Sequence, residues 1–167
     1  METPVAAVKE LYGNQVRIRV CGICMRDNKI LLVNHKLYGE GSDFWSPPGG
    51  GVHFGETVVK AMGREFEEET GLLATVGELL FMNEFIQAPL HAIELFFRID
   101  SIEGNLTLGT DPEFQQNEQI IQEVKFFGFE ELQRIPGRSK HRIFNTLKRF
   151  EDLFEKKELL FHSTFNI

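Results

Sequence analysis

The chain is poor in cysteine, with two in 167 residues, and carries a single tryptophan. So few thiols exclude a disulfide-built scaffold and point to a reducing compartment, so a cytoplasmic location is expected. No apolar run approaches the roughly 20 residues of a membrane-spanning helix. Residues Met1 to Gly13 lack the basic-then-apolar layout of a secretory signal. Basic residues are in the minority, 18 against 25 acidic, for a net charge of −7. That balance excludes a protein that coats nucleic acid or a membrane surface. An anionic substrate would have to be received by metal cations or by local basic residues. The expectation is a single globular domain over 1–167, with its core at about 16–150 and a C-terminal helix and tail over 139–167.

Cys21 and Cys24 form a C-x-x-C pair inside the apolar run Val16 to Met25. Three residues apart on a strand, their side chains point to opposite faces. A redox pair belongs at a helix N-terminus, and a zinc site needs two further ligands. The two are read as buried structural thiols.

Val16, Ile18 and Val20 alternate with Arg17 and Arg19, the period of a half-buried strand, and Ile30 to Val33 suits a central one. Asp27-Asn28 between them is turn chemistry. A loop rich in glycine and proline follows, and Thr57 to Thr70 reads as a helix stopped by Gly71. Strands are expected near Val76 to Ile86, His91 to Ile99 and Glu123 to Phe129, with a long polar loop from Ser101 to about Gln119. Glu130 to Ile135 reads as a short helix. Ile143, Leu147, Phe150 and Phe154 recur at helical spacing, which predicts a helix from Ser139 to about Lys157. Elements in this order suggest an α/β or α+β sandwich.

The chemistry lies between Gly50 and Leu72. Glu65, Glu68 and Glu69 stand at i, i+3 and i+4, within an arc of roughly 100° on a helix. Like charges at that spacing destabilise a helix, and a divalent cation held by the carboxylates would relieve the repulsion. Arg64 lies one turn before Glu68 and could orient it. Val59, Met62 and Phe66 form the neighbouring apolar stripe, and Glu67 points to the far side. Pro47 to Gly51 lets backbone pass close to whatever the acids hold. Glu56 and Lys60 make a favourable i, i+4 pair, read as structural.

The segment resembles the Nudix box, G-x5-E-x7-R-E-U-x-E-E-x-G-U with U a bulky apolar residue. Gly50, Glu56, Arg64, Glu65, Phe66, Glu68, Glu69, Gly71 and Leu72 match it at every defined position. Phe66 stands where Leu or Ile is commoner. The run W-x-x-P-G-G from Trp45 also occurs in the family's order. The resemblance implies an α/β/α sandwich with a mixed β-sheet and the box as loop–helix–loop. It implies hydrolysis of a diphosphate linkage in a nucleoside diphosphate derivative, by water attack on phosphorus with Mg²⁺ or Mn²⁺. Glu65, Glu68 and Glu69 would then hold metal, with the backbone carbonyl of Gly49 as a further ligand. The general base would be one of these acids or one outside the box; Glu118 is favoured over Glu123, which starts an apolar strand.

For the substrate, Arg17 and Arg19 share one strand face and could contact phosphates, and Tyr38, Phe44 and Trp45 could stack on a base. The competing reading packs Phe44 and Trp45 onto the sheet. His53 is assigned no chemistry, and Glu84 is read as a surface carboxylate. Members that cleave ADP-ribose tend to carry a proline beyond the box, where Pro89 lies; nucleotide sugars and noncanonical nucleoside triphosphates stay open. A nucleotide-sensing module of the same fold is the alternative, and the intact box argues for the enzyme. The apolar tail, with Leu159, Leu160, Phe161 and Phe165, predicts a homodimer. No nucleic-acid or membrane partner is expected.

Overall fold

A computed structural model describes residues 12–36, 43–109 and 120–155. Strands β1 (Val16–Arg26) and β2 (Lys29–Lys36) are joined by Asp27 and Asn28, whose φ values of 51° and 57° give the two-residue turn that suits the twist of a hairpin. Strand β3 (Asp43–Ser46) follows, then helix α1 (Val58–Thr70), β4 (Leu73–Gln87), β5 (Leu90–Glu103), β6 (Ile121–Gly128) and helix α2 (Phe129–Arg134). Two single 3₁₀ turns at Gly137–Ser139 and Arg142–Phe144 lead to helix α3 (Asp152–Glu155). The strands run in the order β3-β2-β1-β5-β4, with β6 also paired to β2. β1 and β5 are parallel and the other pairs antiparallel, so the sheet is mixed as expected.

Alternation along the central strands supplies two faces. On one face Val20, Cys24, Leu31 and Phe97 meet Ala61, Met62 and Phe66 of α1. On the other, Cys21, Ile23, Ile30, Leu32, Phe81 and Phe96 meet Leu132 of α2 and Ile143, Phe144, Leu147, Phe150 and Leu153 beyond it. The two thiols therefore lie on opposite faces, both buried, and burial pushes each thiol's pKa up, that of Cys24 to about 11. Phe66 is fully buried, and a Cβ added at Gly22 would come within 3.1 Å of its ring. The bare backbone of Gly22 thus makes room for the large residue in the box's apolar slot.

Two expectations change. Val16 and Ile18 are 59% and 41% exposed, so the apolar phase of β1 becomes core only from Val20 on, and the Arg17/Arg19 side is the half-buried one there. The predicted helix from Ser139 is not continuous over the described residues. Its apolar side chains reach the core, but side chains take over the backbone partners. The Asp152 carboxylate accepts from the N–H groups of Lys148 and Arg149 at 2.9 and 3.3 Å, and the Gln133 amide donates to the Phe144 carbonyl at 3.3 Å. No helix among the described residues is long and apolar enough to cross a membrane.

Candidate functional site

The glycine loop is laid against β1 by backbone hydrogen bonds. Val20 N–H donates to the Gly50 carbonyl at 2.9 Å, Gly22 N–H to Pro48 at 2.8 Å, and Val52 N–H to Ile18 at 2.9 Å. This pairing requires glycine at one point: Gly49 has φ 153°, and a Cβ there would lie 1.9 Å from the Val20 carbonyl oxygen. A Cβ on Gly50 would meet the Glu65 carboxylate at 2.3 to 2.5 Å, so the loop and the acids of α1 are in direct approach.

Helix α1 is closed at both ends. The Thr57 hydroxyl accepts from Lys60 N–H at 3.3 Å, and Gly71, at φ 70°, returns its N–H to the Glu67 carbonyl. Thr107 and Gly109 donate N–H groups to the carbonyls of Thr70 and Glu69 at 2.9 and 3.1 Å, which satisfies further acceptors of the last turn.

Glu65 and Glu69 are buried, Glu68 is half-buried and Glu67 is exposed. Arg64 ties the loop to the acids. Its Nε and Nη2 donate to the two oxygens of Glu56, both at 2.9 Å, and Nη2 also reaches the Gly51 carbonyl at 3.1 Å. Its Nη1 donates to Glu65 Oε1 at 2.9 Å and Glu68 Oε2 at 3.1 Å. Glu69 is held separately: Gly49 N–H donates to Oε2 at 2.8 Å, and His35 Nε2 lies 3.1 Å from Oε1. Ser46 Oγ lies 3.4 Å from the other ring nitrogen of His35. Arg64 bridges Glu65 and Glu68 while His35 engages Glu69, and in this arrangement no three acidic, His or Cys side chains among the described residues are grouped closely enough to hold a metal ion together.

Burial, reinforced by Glu69 and Glu68, pushes the Glu65 carboxyl up to about 7 even though Arg64 opposes the shift. The Arg64 fork does the reverse to Glu56, whose carboxyl it holds at about 2 with help from the His53 N–H. A carboxyl depressed on folding stabilises the native state above its unfolded value, near 4.5, and that contribution is lost as pH falls toward 2. Thermal melts of Glu56→Gln and the parent between pH 6 and 2.5 are therefore expected to converge toward acid, with the parent losing Tm more steeply. Parallel curves would show that the fork contributes no pH-dependent stability.

A model of the NUDIX domain family matches residues 14–147. The chain belongs to the Nudix family. It is 36% identical over 120 residues to an ADP-ribose pyrophosphatase of Methanocaldococcus jannaschii, covering 71% of this chain and 65% of that protein. It is 41% identical over 59 residues to a CTP pyrophosphohydrolase of Escherichia coli, covering 35% of this chain and 44% of the relative. The chain thus spans under two thirds of the length of each relative. Among solved structures, a MutT Nudix hydrolase from Burkholderia pseudomallei superposes with a TM-score of 0.62 at 25% identity, covering 78% of this chain and 95% of that one.

In this Nudix chain the fold brings Gly49, Arg64, Glu65, Glu68 and Glu69 together, with Arg19 at the loop's edge, its Nη2 3.5 Å from the Gly49 carbonyl. Arg17 is elsewhere engaged, its guanidinium 3.3 Å over the Tyr12 ring. Trp45 is a packing residue: it is 7% exposed and meets Phe127 edge-on at 4.6 Å, which leaves it no open face for a base. Tyr38 and Glu118 lie outside the described residues. Glu84 lies 3.0 Å from His91 Nε2 on the neighbouring strand.

Sequence reading missed two partners. Glu56 forks to Arg64, where a pair with Lys60 was expected, because the glycine loop folds back over the helix. His35 gave no signal at all, being one polar residue at the end of an apolar strand. Its role follows from β2 ending beside the last turn of α1.

Proposed function

We propose that this Nudix protein hydrolyses the diphosphate linkage of a nucleoside diphosphate derivative, using Mg²⁺ or Mn²⁺, by water attack on phosphorus. The observation that carries the reading is the apposition of Glu65, Glu68 and Glu69 with the Gly49–Gly51 backbone, bound together by the Arg64 fork. The donor set fits a hard cation: carboxylate oxygens and a backbone carbonyl, with no sulfur among them. Glu65, Glu68, Glu69 and the Gly49 carbonyl would hold it. Bound there, such an ion lowers the pKa of water and offsets charge on phosphate oxygens.

The chain's own part is to orient and to take a proton. Glu65 Oε2 and Glu68 Oε1 accept no hydrogen bond among the described residues, whereas the opposite oxygens are held by Arg64. Arg64 therefore sets the carboxylate planes while leaving one oxygen of each available. The base is one of the box acids or Glu118. Of the two arginines of β1, Arg19 is the phosphate-contacting candidate, because it stands at the glycine loop while the Arg17 guanidinium is engaged over the Tyr12 ring.

ADP-ribose leads the substrate classes, supported by the likeness to the Methanocaldococcus jannaschii relative and by Pro89; nucleotide sugars and noncanonical nucleoside triphosphates follow. The test is product release from a panel of these compounds with Mg²⁺, with Mn²⁺ and with EDTA. Turnover of one class, abolished by EDTA and restored by metal, is the expected result. No turnover from folded protein, together with saturable nucleotide binding, would overturn the enzyme reading in favour of a sensor. We further propose a cytoplasmic homodimer; a sedimentation mass near 19.2 kDa would sink the dimer.

A further inference from the structure

On the sheet face opposite α1, the apolar row Cys21–Phe96–Phe81 is followed by a polar one. Arg19 of β1 stands beside Glu94 of β5, and Glu94 beside Asn83 of β4. Glu94, Asn83 and His141 are all buried. Glu94 Oε2 accepts from the Asn83 amide at 2.8 Å and lies 3.0 Å from His141 Nε2. His141 is itself anchored, its N–H donating to the Trp45 carbonyl at 2.7 Å and its ring standing edge-on to Phe96 at 5.4 Å. Burial pushes the Glu94 carboxyl upward, but His141, Arg19 and Asn83 outweigh it and hold the group at about 2, so it is an anion at neutral pH.

The arginine is left under-used. A guanidinium offers five N–H donors in a planar fork. Arg19 Nη2 makes one long contact to the Gly49 carbonyl at 3.5 Å. Its Nη1 is 3.8 Å from Glu94 Oε1, an ion pair beyond hydrogen-bond reach, and its Nε is buried with no hydrogen-bond partner among the described residues. Only the Nε donor bears the cost of burial without a partner; the Arg19 side chain is 31% exposed, so the Nη donors that its neighbours leave unmade are open to a ligand from solvent. Asn83 and His141 take up Glu94 Oε2, and Oε1 faces the guanidinium without saturating it. That arrangement orients a cation and leaves its donors for an oxyanion, which a guanidinium binds through two parallel bonds. The adjoining Gly49 carbonyl belongs to the donor set described above, which places the oxyanion next to the diphosphate.

We propose that Glu94, with Asn83 and His141, is a positioning residue that holds the Arg19 guanidinium toward a phosphate oxygen of the substrate's diphosphate. The inference rests on the diphosphate-hydrolase reading, so its test reads binding separately from turnover. Methylenediphosphonate, whose P–C–P bridge resists hydrolysis, is titrated calorimetrically into the protein with Mg²⁺. Arg19→Gln is expected to weaken its affinity by about 10-fold or more, as befits hydrogen bonds to a charged group. Glu94→Gln is expected to weaken it by about 3- to 10-fold. The double variant should bind no more weakly than Arg19→Gln alone, because Glu94 acts through Arg19. In turnover, KM should rise in both single variants with little change in kcat.

Parent-level affinity in Arg19→Gln, or no binding by the parent, would overturn the proposal. So would additive losses in the double variant, which assign Glu94 a separate structural role. If Arg19→Gln does not fold, Arg19→Lys decides. It keeps the charge without the fork, and parent-level affinity in it would equally overturn the idea. The expected binding pattern in a protein that turns nothing over would sink the hydrolase reading and leave this one standing.

Discussion

Glu68→Gln is expected to lower kcat by at least about 100-fold while the protein folds as before. Loss of groups that merely support a metal ligand costs about 10- to 100-fold, and a direct ligand counts for more. Folding should be spared because the Glu68 side chain is 28% exposed and its polar contact is to Arg64, which keeps Glu56, Glu65 and Gly51 as partners. The measurement is steady-state kinetics at saturating Mg²⁺ beside a thermal melt. Glu118→Gln makes the necessary comparison. A residue serving only as base should lower kcat with Mg²⁺ affinity unchanged, whereas Glu68→Gln should weaken both. Unchanged turnover in Glu68→Gln would refute the metal assignment.

The second large effect separates two adjacent glycines. At Gly49 an added Cβ would collide with backbone, the Val20 carbonyl at 1.9 Å, and the φ of 153° is hostile to any other residue. Neither can relax without unpairing the loop from β1. Gly49→Ala is therefore expected to cost about 3–5 kcal/mol, combining backbone strain with overpacking. For a chain of this size that lowers Tm by about 10 °C. At Gly50 the obstacle is the end of a side chain, the Glu65 carboxylate, which can swing aside. Gly50→Ala should keep most of the stability and lose turnover, since the displaced carboxylate is one of the proposed ligands. Melting curves and kcat measured on both variants test the contrast. If Gly50→Ala were fully active, Glu65 could not be needed in its observed position.

Glu94 is a charge that the strand pattern of the sequence marks as anomalous. Along the strand expected over His91 to Ile99, Ile93, Leu95, Phe97 and Ile99 alternate onto one apolar face. On the opposite face Ala92, Glu94 and Phe96 are all buried, and Glu94 is the one charged residue among the three, Arg98 lying farther along at the exposed end. A lone charge on a covered strand face has to be paired or purposeful. The sequence does not say with what, because Asn83, His141 and Arg19 come from three distant segments. The failed C-terminal helix has a related cause. Periodicity reports which side chains face the core, and those residues do reach it. It does not report whether side chains elsewhere, Asp152 and Gln133 here, take over the backbone's hydrogen bonds.

By itself the sequence determined the family, the spacing of Glu65, Glu68 and Glu69 on one helix, the ends of that helix and the burial of both cysteines. These are local properties, set by helical pitch, strand alternation and the conformations open to glycine. Tertiary structure alone decided that Glu56 forks to Arg64, that His35 holds Glu69, that Trp45 belongs to the core and that Arg19 faces Glu94. Each of those depends on two segments far apart in the chain meeting at a distance of a few ångströms, and no pattern within either segment specifies its partner.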